Sequence, residues 1–123
     1  MGRISVNISN TWPRITIVAK RIKHGQLLAE EYSGYEVRHL KDNWNGILQV
    51  EFESYDGFIA AIPVREILNA SPGNQIILAD TRNGIPLCSK TQSKQYRLIA
   101  ERDPAGRRWC KNIIGIEFVE VES

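Results

Sequence analysis

Short apolar runs, each closed by a turn pair, constrain this chain more than any other feature. His24-Gly25, Ser33-Gly34, Asn45-Gly46, Asp56-Gly57 and Asn83-Gly84 separate stretches whose apolar residues alternate or run unbroken for only a few positions. Glycine supplies the positive φ that tight reversals need, and a strand of about five or six residues fits between such turns, whereas a helix needs roughly ten or more. The pattern implies a fold built mainly from β-strands.

Along the chain, Ile4, Val6 and Ile8 alternate with Ser5 and Asn7 as in a half-buried strand. Trp12-Pro13 breaks it, and residues 14–23, with Ile15, Thr16, Ile17 and Val18, predict a second strand. Residues 26–32 carry helix formers around Leu27 and Leu28 and predict a helical turn. Tyr35, Val37 and Leu40 fit neither period, so residues 35–40 admit a short strand or one helical turn.

Beyond Asn45-Gly46, the residues Leu48, Val50 and Phe52 are placed on one face and Gln49, Glu51 and Glu53 on the other. The Asp56-Gly57 reversal then predicts a hairpin into residues 58–62. Pro63 suits the first position of a short helix over residues 64–69, buried through Val64, Ile67 and Leu68. The wholly apolar run Ile76-Ile77-Leu78-Ala79 predicts a central strand, followed by a turn at Asn83-Gly84 into Ile85-Pro86-Leu87. Residues 96–101 and 113–121 are the last strands, with a turn at residues 103–106 that presents Arg107 and Arg108. Ile114, Ile116 and Phe118 share a face, but Val119 and Val121 do not continue it, which predicts a bulge or a change of exposed face near Phe118.

A chain of 123 residues with 42% hydrophobic content fits a single domain over residues 1–123. With 16 Lys and Arg against 14 Asp and Glu, the net charge of +2 is too small for the overall field to predict nucleic-acid or membrane binding. The first residues lack the apolar block of an export signal and no apolar run approaches ~20 residues, so a cytoplasmic protein is expected. Cys88, Cys110, His24 and His39 do not have zinc-site spacing, and two reduced thiols are expected. A disulfide would need Cα atoms within roughly 7 Å.

From Tyr32 onward a set of landmarks occurs in order: Tyr32-Ser33-Gly34-Tyr35-Glu36-Val37, Tyr55-Asp56-Gly57-Phe58, Ile62-Pro63, Ile77-Leu78-Ala79 and Asn83-Gly84-Ile85-Pro86-Leu87. Tyr96-Arg97-Leu98-Ile99, Arg108-Trp109-Cys110-Lys111-Asn112-Ile113 and Ile116-Glu117-Phe118 complete it. Over residues 32–121 the chain resembles the molybdopterin-binding domain of the sulfite oxidase family, as a short stand-alone member. The resemblance implies an α+β, mostly β fold of the sulfite-oxidase type, with mixed and antiparallel sheets and short helices. It also implies oxo transfer at a molybdenum held by the cofactor dithiolene and by one protein thiolate upstream of Gly34.

Two departures bear on that chemistry. Residues 12–33 contain no cysteine, and Cys88 and Cys110 stand elsewhere, so the thiolate ligand is missing and no metal site is expected. Where the family has a Gly-Pro loop before the arginine matching Arg97, this chain has Gln92-Ser93-Lys94-Gln95-Tyr96. The family's phosphate-holding positions correspond to Gly106, Arg107, Arg108 and Lys111, which together with Arg97 form the candidate anion or pterin-phosphate site. A solvated hairpin tip is the competing reading of the same residues.

Other residues have simpler expectations. His39 lacks a motif-fixed Asp or Ser partner, which favours a structural role over a catalytic one. Asp56 and Asp80 precede turns, where carboxylates bond their own backbone amides. Trp12, Trp44 and Trp109 are expected to pack in the core or at its edge, and the basic run Lys20-Arg21-Ile22-Lys23-His24 to protect an edge strand. The expected function is that of a non-catalytic, cofactor-free relative of the family, binding a small anionic ligand or a protein partner, but neither nucleic acid nor membrane. The alternatives are an oxidoreductase domain with bound molybdopterin and a small regulatory protein that binds a phosphorylated metabolite.

Overall fold

The computed structural model describes residues 8–9, 11–87, 95–103 and 107–121. Ten elements follow in order: β1 (Ile15–Lys23), β2 (Gln26–Glu36), a 3₁₀ turn (Val37–Leu40), β3 (Ile47–Ser54), β4 (Ile59–Pro63), α1 (Val64–Leu68), β5 (Ile76–Arg82), β6 (Ile85–Pro86), β7 (Arg97–Ala100) and β8 (Ile113–Glu120). The protein is mostly β. One sheet has the order β1-β2-β5-β6 with β7 also on β5, and the other the order β4-β3-β8. Every pairing between these strands is antiparallel, so the mixed sheets expected from the resemblance are not found among the described residues. Of the first expected strand only Ile8 is described, and it packs against the core without strand structure.

Strand β5 has the central place that its unbroken apolar run predicts. Ile76 and Leu78 join Val50, Phe52, Ile62, Ile67 and Leu98 in a core between the two sheets, while Ile77 and Ala79 join Ile17, Tyr32 and Ile99 on the opposite face. A strand buried on both faces has no polar face to alternate with, hence the run.

Several expectations are corrected. Residues 26–32 form strand, not a helical turn: each pairs with β1, from Lys23↔Gln26 to Ile17↔Tyr32, around a His24-Gly25 turn with φ of 53° and 77°. Two successive positive φ values match hairpin twist, and the ladder they start outweighs the small helix preference of Leu27 and Leu28. Leu48 does not share the buried face of Val50 and Phe52, because the β3–β8 register shifts between Ile47 and Gln49 and leaves Leu48 55% exposed. That bulge puts its extra residue in β3, opposite Val119 and Glu120, whereas the extra residue of β8 is Ile114, which turns outward, so the bulge of β8 lies there and not near Phe118. In α1 Pro63 is the cap rather than the first helical residue, and Leu68 is half exposed, so burial rests on Val64 and Ile67. The ambiguous residues 35–40 divide: β2 ends at Glu36 and the 3₁₀ turn follows.

One register shift sets the larger sheet. Ser33 pairs with Thr81 but Gly34 with Ala79, so Asp80 is the extra residue of a bulge in β5. A Cβ at Gly34 would run into the Leu78 carbonyl oxygen and lie 2.7 Å from the Ala79 Cα. Gly34→Ala is expected to lower stability by about 3 kcal/mol, whereas Gly46→Ala, with open space but φ of 81°, loses about 1 kcal/mol. Urea unfolding of the two variants checks the order.

Candidate functional site

The four described residues of the candidate anion site go to three different places. Arg108 is fastened to two carboxylates: its Nε and Nη2 donate to Asp103 at 2.7 Å each, and its Nη1 and Nη2 donate to Glu66 at 3.1 and 2.8 Å. Its backbone N–H also donates to Asp103. Asp103 first and Glu66 second raise the guanidinium pKa, so the cation is permanent. Local charge is one positive against two negative, and an incoming phosphate meets a net negative field. This cluster ties α1 to the segment between β7 and β8.

Arg97 goes to the other side of β7. Its guanidinium carbon lies 6.0 Å from the centre of the Tyr32 ring, and Nη1 donates to the Tyr32 hydroxyl at 3.4 Å. Tyr32 donates in turn to Glu30 at 3.2 Å, and Glu30 faces Arg82 at 3.8 Å. Arg97 Nε is buried without a hydrogen-bond partner among the described residues. Lys111 is exposed on the side of the β3–β4 turn, where it helps to lower the Asp56 pKa behind the larger effects of Ser54 and the Phe58 amide. Arg107 is exposed in its turn, and Gly106 lies outside the described residues. These side chains do not converge on one cradle, and the pterin phosphate implied by the resemblance does not fit them as they stand.

Cys110 is a core thiol. It is fully buried, donates weakly to the Phe52 carbonyl at 3.7 Å, and is pushed from an ordinary 9.0 up to about 11 by burial, with Asp56 and Glu53 adding to it. A thiol held protonated and out of solvent is no metal ligand or nucleophile at neutral pH. Cys88 lies outside the described residues, as does most of the segment before Tyr96 where the family's Gly-Pro loop is absent. Among the described residues no group of three or more His, Cys, Asp or Glu is arranged to hold a metal ion.

Asp80 is not a turn carboxylate. It is a buried strand residue gripped by Arg14 through two hydrogen bonds of 3.0 and 2.7 Å, with the Arg14 guanidinium 5.2 Å from the Tyr35 ring centre. Asp56 does bond its own turn, accepting from the Phe58 amide at 3.2 Å. The tryptophans pack as expected: Trp12 edge-on to Tyr35, Trp44 on Phe118, and Trp109 on Tyr32 with its Nε1 donating to the Ala100 carbonyl. His39 is half-buried, its ring 5.9 Å from that of Trp12.

A cleft of about 180 Å³ lies between Glu30, Arg82, Asn83, Ile85, Pro86 and Leu87, below the ~300 Å³ at which ligand pockets begin. The feature that sequence reasoning missed is beside it. Pairing of β2 with β5 stops at Tyr32↔Arg82, with Asn83 bonding both backbone groups of Glu31. Beyond that point β1 and β2 pair only with each other among the described residues, where residues 20–29 extend past the rest of the sheet as a two-stranded arm. At its end Ile22 and Leu27 are directly paired, 62% and 67% exposed. The expectation of an edge strand for residues 20–24 holds, but the helical turn expected for residues 26–32 hid the arm. Compared with protein families, curated proteins and solved structures, the chain matches none. No helix among the described residues is long and apolar enough to cross a membrane.

Two outcomes follow for the clusters. Arg108→Ala is expected to destabilise by about 2 kcal/mol, since it strands a buried Asp103, and Arg108→Lys to recover little because a point charge cannot bridge both carboxylates; thermal melts in the presence and absence of phosphate should show no protection by the anion. For Cys110, the raised thiol pKa favours the neutral folded form, so its stability contribution is whole below pH 9.0 and is lost as pH climbs towards about 11. Urea midpoints should fall over that range and fall less in Cys110→Ala.

Proposed function

We propose that this chain is a non-catalytic relative of the molybdopterin-binding domain that works as a protein-interaction module, with the arm of residues 20–29 as its docking element. The observation that carries this reading is the exposed Ile22 and Leu27 pair at the end of a ribbon that leaves the body. Two aliphatic side chains held side by side in water contribute nothing to the core, and burial against a partner removes that surface at about 25 cal/mol per Å².

Supporting the absence of the family's redox chemistry is the fate of the candidate ligands. Residues 12–33 supply no thiolate, Cys110 is buried and protonated, and Arg108 is already committed to Asp103 and Glu66.

Metal analysis of protein purified from cells that make molybdopterin tests the reading: molybdenum is expected well below one atom per chain, and a stoichiometric content overturns it. Ile22→Ser/Leu27→Ser is expected to leave the unfolding midpoint within about 0.5 kcal/mol of the parent, as for any exposed site. A large loss there would mean that the pair serves the fold, not docking.

A further inference from the structure

The chain holds the dipeptide Asn-Gly twice, as Asn45-Gly46 and Asn83-Gly84. In such a pair the glycine nitrogen is an internal nucleophile for the asparagine side-chain carbonyl carbon, because the following residue has no Cβ to stand in the way. Both pairs lie in tight turns, yet the fold treats their asparagines differently.

Asn83 is tied twice to Glu31. Its backbone N–H donates to the Glu31 carbonyl at 2.7 Å, and its Oδ1 accepts from the Glu31 amide at 2.9 Å. Swinging Cγ towards the Gly84 nitrogen breaks the second of these bonds, at the point where the β2–β5 pairing ends. Asn45 has no such tie. It is exposed, and among the described residues its side chain makes no hydrogen bond; only its backbone N–H donates, to Asn43 Oδ1 at 2.9 Å. With Gly46 at φ of 81° and the Ile47 amide donating to the Trp44 carbonyl at 3.2 Å, residues 44–47 form a type II turn. Ring closure needs the peptide plane between Asn45 and Gly46 to turn over. Neither the oxygen nor the N–H of that plane is bonded among the described residues, and the space around Gly46 is open.

We infer that Asn45 is a site of spontaneous deamidation and isoaspartate formation in the folded protein, and that the fold protects Asn83 from the same reaction. The Gly46 nitrogen gives its proton to hydroxide and bonds to Asn45 Cγ; the Cγ–Nδ2 bond breaks, ammonia leaves and a cyclic succinimide remains. Water then opens the ring. Attack at Cγ frees the side-chain carboxylate and yields aspartate, whereas attack at the main-chain carbonyl leaves the nitrogen on Cγ and yields isoaspartate. No oxidant or reductant takes part. Either product lowers the net charge of +2 by one. Isoaspartate also adds a methylene to the main chain just before Gly46, whose carbonyl accepts from the Val121 amide at 2.8 Å, and so loosens the end of the β3–β8 ladder.

Peptide mapping by mass spectrometry tests it on the unaltered chain, incubated in mildly alkaline buffer both folded and unfolded in urea. In the folded sample the peptide holding Asn45 is expected to gain the mass of an amide-to-acid exchange and to accept methyl groups from an isoaspartyl methyltransferase. Its conversion is expected to run at least about tenfold faster than that of the peptide holding Asn83, a difference of about 1.4 kcal/mol in barrier. In urea the bonds to Glu31 are gone, and the gap between the two sites is expected to close. An Asn45 that stays an amide in the folded sample while the urea sample converts, an Asn83 that keeps pace with it, or a gap that persists in urea overturns the inference. None of these outcomes bears on the arm as a docking element.

Discussion

The larger sheet depends on a single close approach, that of the Gly34 backbone to Leu78 in β5. No side chain fits there, and the approach coincides with the bulge that takes Asp80 out of the β2–β5 ladder. A bulge bends its strand and increases the local twist. Arg14 then closes on the displaced carboxylate with two hydrogen bonds and lies over Tyr35, which joins the approach to β1, β2 and β5 at one point. A buried carboxylate without that arginine would be several kcal/mol less favourable, so bulge and ion pair stand or fall together.

The position of the arm follows from the same point. β2 has 11 residues but shares only its last five with β5, from Tyr32 to Glu36. Asn83, at φ of 51° in the β5–β6 turn, takes up both backbone groups of Glu31 and ends the pairing there. Among the described residues, β1 is the sole ladder partner of everything nearer the His24-Gly25 turn. A ribbon that gains nothing from a third strand or a covered face is marginal on its own, and here it is anchored at its base by Ile17, Ala19 and Tyr32 in the second core cluster.

How much of this was legible in the sequence differs by element, for physical reasons. The two-residue period at Val50 and Phe52, the Asp56-Gly57 and Asn83-Gly84 turns and the apolar run of β5 are local signals, and the strands they predict are present. Residues 26–32 do not read as a strand in the sequence because the inward face, Leu28, Glu30 and Tyr32, is interrupted by a charge while Leu27 on the other face is apolar, and only pairing with β1 defines the strand. The bulges at Leu48 and Ile114 shift which residues are buried without any marking glycine or proline at those positions. For the candidate anion site, glycine and arginines in one turn did resemble a phosphate loop, but Arg108 is occupied by Asp103, five residues earlier, and by Glu66, 42 residues earlier. Nothing local predicts that a helix of five residues will present its carboxylate to that arginine.

The clustering of cations on the arm admits a plain explanation, since lysine on an edge strand discourages pairing with other chains. That explanation accounts for Lys20, Arg21 and Lys23 but not for their company. A strand protected solely by charge gains from polar neighbours, whereas here Ile22 and Leu27 sit between and opposite the cations and are the more exposed residues of the ladder's apolar set. Edge protection and docking then become one device: charge excludes a strand added in any register, and the apolar pair contributes only where a surface also brings opposite charge to Lys20, the cation on the same face. Specificity in such a contact comes from the unfavourable alternatives, because burying Ile22 and Leu27 on any neutral surface would desolvate the Lys20 ammonium on the same face without compensation.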